Sequence, residues 1–225
     1  MNVTLDAVEV RVLGALVEKE MTTPEYYPLT VNALIAACNQ KSNRHPVTSF
    51  DETTVLAALD RLREKELAWT TTSEGRVPKI KHRLAYAFSL SAAELAVLCE
   101  LMLRGPQTLG ELRGHAQRLF PFKELNDVEM TLHCLINRDE PLVVKLPRQP
   151  GQKESRYAHL LSGEPSFDKE ERVTGAEAMR TAVLVDDDRI IKLEHEIQAL
   201  RRALEELTEQ LNDFRRQLNE EEPPT

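Results

Sequence analysis

Glycine is scarce, eight in 225 residues, and none falls in the clustered pattern of a loop that cradles phosphate against a helix N-terminus. Cysteine is scarcer. Cys38, Cys99 and Cys134 are odd in number and form no CxxC pair, which argues against a disulfide framework and implies a reduced, cytoplasmic setting. No stretch approaches eighteen uninterrupted apolar residues, the opening MNVTLDAVE carries Asp6 in place of a basic flank, and Asn2 stands where myristoylation needs glycine. No membrane partner is expected.

Catalytic constellations are equally thin. HEIQA, from His195, opens like a zinc-protease motif but lacks the second histidine. Cys134 follows His133, yet neighbouring helical residues point about 100° apart, and no third group orients the pair. Cys134 is therefore read as a small, semi-buried residue. Asp186, Asp187 and Asp188 precede a long helical pattern and read as cap and dipole partners in preference to a cation site. Neither an enzymatic activity nor a cofactor is expected.

What the chain does have is charge of uneven placement. The formal net charge is −8. Residues 1–90 hold 11 acids and 11 Lys+Arg, residues 91–161 hold 9 and 9, and residues 162–225 hold 17 acids against 9 bases. The tail carries the whole excess, so the overall acidity says little about what the first 161 residues touch.

It also has an internal repeat. Val12, Leu13 and Leu16 share one face of a helix, and Val97, Leu98 and Leu101 repeat the pattern 85 positions later. Each copy continues with a Pro-containing break, TTPEYYPLT or GPQTLG, and a shorter helix, TVNALIAACNQ or TLGELRGHAQRL. A third helix follows, DETTVLAALDRLREKEL on Val55, Leu59 and Leu62, or ELNDVEMTLHCLINRDE on Val128, Leu132 and Leu135. The period then changes. LAWTTTSEGRVPKIKHRLAYAF and PLVVKLPRQPGQKESRYAHLL both read as hairpins. Three helices closed by a hairpin form the winged helix-turn-helix arrangement. The expected fold class is thus α+β, mostly helical, with two tandem winged helices at residues 1–89 and 90–163.

Three stretches, TTPEYYPLTVNALIAACNQKSNR, LRGPQTLGELR and LPRQPGQKESRYAHLL, resemble the YceH family of bacterial tandem winged-helix proteins over nearly all of residues 5–161. The resemblance implies the fold and a scaffold of the DNA-binding kind. It carries no catalytic residue and no ligand.

A winged helix makes the third helix of each copy the candidate groove reader. Thr53, Ala57, Asp60, Arg61 and Glu64 lie opposite the apolar stripe of the first, and Asn126, Met130, His133 and Asn137 opposite that of the second. Neither face is basic. Positive charge gathers in the turns and wings: Lys41, Asn43 and Arg44 in NQKSNRHP, Arg76, Lys79, Lys81 and Arg83 in the first wing, and Lys145, Arg148, Lys153 and Arg156 in the second. Together with Thr53 and Arg61 these are the candidate DNA contacts, of the phosphate-positioning kind.

Residues 164–187 read as an acidic linker, 188–220 as a coiled-coil helix and 221–225 as a short tail. Ile190, Ile197, Leu204, Leu211 and Leu218 occupy heptad position a, and Leu193, Leu200, Leu207 and Phe214 position d. Early Ile-a and Leu-d layers favour a parallel two-stranded coil, with Glu196 facing Arg201 of a second copy; the competing arrangement is a single helix folded back on its own chain. The expectation is a homodimeric DNA binder, a transcriptional regulator or nucleoid-associated factor. The alternative is a module whose winged helices bind a protein partner.

Overall fold

The computed structural model describes residues 3–71, 77–148, 152 and 154–164. They belong to one compact unit. The chain order is α1 (Ala7–Thr22), α2 (Val31–Cys38), α3 (Glu52–Glu64), β1 (Ala68–Thr71), β2 (Lys79–His82), α4 (Leu84–Ala87), α5 (Ala92–Arg104), α6 (Leu109–Ala116), α7 (Leu125–Ile136), β3 (Val143–Lys145) and β4 (Tyr157–His159). The fold is α+β, with about half of the described residues helical and two antiparallel two-stranded sheets. Among these residues no helix is long and apolar enough to cross a membrane.

The repeat recurs in how the helices begin. Asp6 accepts the Glu9 N–H at 2.8 Å while the Glu9 carboxylate accepts the Asp6 N–H at 2.7 Å, and Ser91 with Glu94 forms the same reciprocal cap at α5. Such boxes satisfy two of the backbone donors that a helix start leaves unpaired. Thr30 and Asp51 cap α2 and α3, and Thr108 with Glu111 caps α6. Each hairpin is also tied to the residue just before the N-cap of the second helix of its copy. Leu29 bridges Ile80, and Gln107 bridges Tyr157.

Helices α1 and α5 pack on each other at the centre, every residue from Glu9 to Glu18 and from Leu95 to Leu103 being buried. The approach is close. A Cβ at Gly14 would lie 2.9 Å from Leu103 Cδ2 and 3.2 Å from Met102 Cβ. The Cys99 thiol reaches the Gly14 carbonyl at 3.5 Å. Further ties join the two copies: Leu5 N–H donates to the Leu161 carbonyl at 2.7 Å, and His45 N–H to that of Leu103 at 2.9 Å.

Two expectations are corrected. The first hairpin is shorter than its sequence suggested: β2 ends at His82, and buried Leu84 opens the short helix α4 that turns the chain toward α5. Cys134 is exposed, not semi-buried, because the buried stripe of α7 runs Val128, Thr131, Leu132 and Leu135 and position 134 falls off it.

Candidate nucleic-acid interface

The outer face of the first hairpin is set by its register. Trp69 pairs with Lys81 and Thr71 with Lys79, and alternation sends these four side chains to one side of the ribbon. Ala68, Ile80 and His82 turn inward and are buried. The ribbon is held from three directions: the Leu29 bridge, the Tyr27 hydroxyl accepting the His82 N–H at 2.7 Å, and Arg63 of α3 donating to Thr70 Oγ1 at 2.5 Å. Arg83 continues the ladder through its N–H to the Leu67 carbonyl at 2.8 Å. Its guanidinium carbon then lies 5.0 Å from the Tyr86 ring centre and 6.0 Å from that of Trp69, in reach of cation–π attraction to both.

Lys79 and Lys81 are exposed, as are Lys41 and Thr53 in the first copy and Lys145 and Arg148 in the second. Lys145 Nζ lies 5.8 Å from the Tyr157 ring centre. Arg76 and Lys153 lie outside the described residues, and so does the seam Ile190, Leu193, Ile197, Leu200, Leu204, Leu207, Leu211, Phe214 and Leu218.

Other expected contacts are spoken for. Arg44 is buried, its guanidinium donating to both Glu18 carboxylate oxygens at 2.6 and 3.2 Å and to the Ala37 carbonyl at 2.8 Å. It neutralises an internal charge and presents nothing to a phosphate. Asn43, in the left-handed region at φ 59°, accepts from Arg104 and donates to Glu18. The loop from Asn43 to His45 is therefore a strut between copies, and of the nearby cations Lys41 and Arg44 only Lys41 faces solvent. Arg61 pairs with Asp6 at 2.7 Å, and Arg156 forms a fork on Glu111 at 3.0 and 3.1 Å. Acidic Asp60 on the exposed side of α3 is offset by Arg63 at 2.6 Å.

Arg83 is among the expected contacts, but the rings of Trp69 and Tyr86 beside it are not. The available signal was Trp69 itself: the chain's single tryptophan stands next to inward Ala68 on a strand and so points outward.

A family model described as "Protein of unknown function, DUF480" matches residues 5–152. A UPF0502 protein of Pelobacter propionicus is 54% identical, over 96% of this chain and 99% of its own length. One from Geobacter sulfurreducens is 52% identical over the same shares. A third, from Koribacter versatilis, is 51% identical over 89% of this chain and 92% of its own. With a family model covering well over half the chain and relatives aligned nearly end to end, this protein belongs to the DUF480 family of UPF0502 proteins.

Proposed function

We propose that this protein binds DNA through two tandem winged helices, the first making the principal contact, and acts as a transcriptional regulator or nucleoid-associated factor. The observation that carries the reading is the outward face of the first hairpin, where Lys79 and Lys81 flank Trp69 and Arg83 lies alongside. In a winged helix this ribbon is the wing, and lysines on it neutralise backbone phosphates without reading sequence. The order of three helices and a hairpin, met twice, supports the assignment, and a bridge anchors each hairpin to the residue before the N-cap of the second helix.

Binding to a mixed-sequence duplex over a salt series is the test. Each neutralised phosphate contributes about −0.9 to the slope of log affinity against log salt. Lys79→Gln with Lys81→Gln should flatten that slope by about 1.8 if both lysines meet phosphate. Unchanged slope in this variant removes the wing from the interface.

A second reading has its own observation. On α7, Met130 is 61% and Leu125 43% exposed, an apolar presentation better suited to a protein partner than to a phosphate backbone. Absence of duplex binding even at low salt would transfer the proposal to that reading.

A further inference from the structure

We infer that the open hollow between the first hairpin and α4 is a pocket for an unpaired nucleobase; the inference rests on the nucleic-acid reading above and adds a preference for single-stranded or frayed DNA. The hollow has a volume of about 520 Å³ and is lined by Glu20, Trp69, Lys81, His82, Arg83 and Tyr86 among others. That is within the range of small-ligand sites.

Trp69 is 53% and Tyr86 77% exposed. Single exposed aromatic residues need no explanation, but here two rings share one hollow and hold one guanidinium between them. The matching ligand is planar, with a π-face for an aromatic ring and acceptor atoms for Arg83. It carries negative charge nearby, because Lys81 opens on the same side as Trp69, with Lys79 next beyond it on the strand. An unpaired nucleotide has all three features, and base–aromatic stacking tolerates any sequence. A duplex does not fit as well, since each base face there is covered by its neighbours and the rings at Trp69 and Tyr86 would go unused.

The acid in the hollow is accounted for. Glu20 Oε2 lies 2.5 Å from His82 Nε2, somewhat off the N–H line, and the interaction with His82, opposed by burial, holds the Glu20 carboxyl below its usual range. His82 is fixed in turn, Nδ1 accepting the Leu84 N–H at 3.2 Å, which leaves Nε2 to face Glu20. The anchored carboxylate offers an acceptor to an N–H on the edge of a base, such as the N3–H of thymine. It would repel an acidic peptide, the other ligand that two cations might draw.

Because Trp69 is the only tryptophan, intrinsic emission of the full-length chain reports on this hollow directly. Titration with an oligothymidylate of about twelve nucleotides, within the span of known single-strand sites, should quench it saturably. An abasic strand of equal length, with the same phosphates and no bases, should quench little and bind about tenfold or more weakly, the scale of one lost stack. Tyr86→Ala and Arg83→Gln should each weaken oligothymidylate binding by a similar factor while leaving the far-ultraviolet circular dichroism unchanged. Equal binding of the abasic strand overturns the pocket; if duplex binding then still shows the lysine-dependent salt slope, the DNA-binding reading survives without it. Quenching by an acidic peptide but not by the oligonucleotide overturns the pocket, and with no duplex binding at low salt it overturns both.

Discussion

Glu18 and Glu100 lie in the same interior, one on α1 and one on α5, and respond to it in opposite senses. Burial pushes the Glu18 carboxyl up, but Arg44 outweighs it and the net value falls below the ordinary 4.5. For Glu100 burial prevails; Arg104 at 3.1 Å, off the N–H line, offsets it only in part, and nearby Glu18 adds to the rise. A carboxyl lowered by folding stabilises the native state above its unfolded pKa and loses that contribution as pH falls through the folded value; a raised one does the reverse. Glu18→Gln should thus cost about 3–5 kcal/mol near neutrality, since it strands a buried guanidinium, with the difference from the parent shrinking below about pH 4.5. Glu100→Gln should hold or raise stability near neutrality, with the gain vanishing in acid. Urea unfolding midpoints at the two pH values check both, and a Glu100→Gln variant less stable than the parent at neutrality would mean that Arg104 dominates. None of this was legible in the sequence. Arg44 sits in an acid-free stretch that reads as a phosphate-contacting loop, and its partner stands 26 positions earlier, so only the fold reveals that the two meet.

The elements themselves were far more legible. Apolar spacing located the first helices because Val12, Leu13 and Leu16, with Val97, Leu98 and Leu101, are fully buried. The third helices followed from Val55, Leu59 and Leu62 and from Val128, Leu132 and Leu135, all buried to within 1%. Periodicity did not reveal that α1 and α5 are enclosed on every side, because Glu9, Arg11, Glu18 and Glu100 interrupt the apolar pattern; the first three find their counter-charges or acceptors in distant segments, and Glu100 finds Arg104 one turn on. Nor did it mark Gly14 as the point of closest approach. Alanine is the better helix former by about 1 kcal/mol, so Gly14→Ala would stabilise an isolated α1. Against α5 it should instead destabilise, and Gly14→Val more so, by about 1–3 kcal/mol as overpacking does. Leu103→Ala should cost less in the Gly14→Ala background than in the parent, the non-additivity that marks a shared steric cause. Thermal unfolding decides it: a Gly14→Ala protein as stable as the parent would show that Leu103 and Met102 can yield.

Over the whole chain, the excess acid and the heptad pattern both belong to residues 162–225, so on the proposed DNA-binding reading one segment would act on affinity in two opposing ways. Repulsion of DNA by exposed carboxylates fades beyond about 8 Å at physiological salt. Joining two binding units raises avidity by about 10²–10⁴ where both engage. Avidity should win. Leu200→Gln with Leu207→Gln alters two d positions at constant net charge, and light scattering should show a dimer become a monomer, with weaker binding to long duplexes. A variant that stays dimeric removes the seam from the assembly. The interface inside residues 3–164 obeys another rule. Gly14 and Cys99 occupy the same position in the two copies, and they meet each other; Gly14 also meets Leu103, the counterpart of Glu18, while Glu18 acts on Cys99. Like meeting like, with reciprocal neighbours, is the pattern of two copies arranged about a two-fold axis. In a dimer of identical subunits one amino acid would have to serve both sides of that contact. Fusion into one chain lifts the requirement: one copy keeps the glycine that permits approach, the other the larger side chains that fill it, and the pairing persists at any dilution.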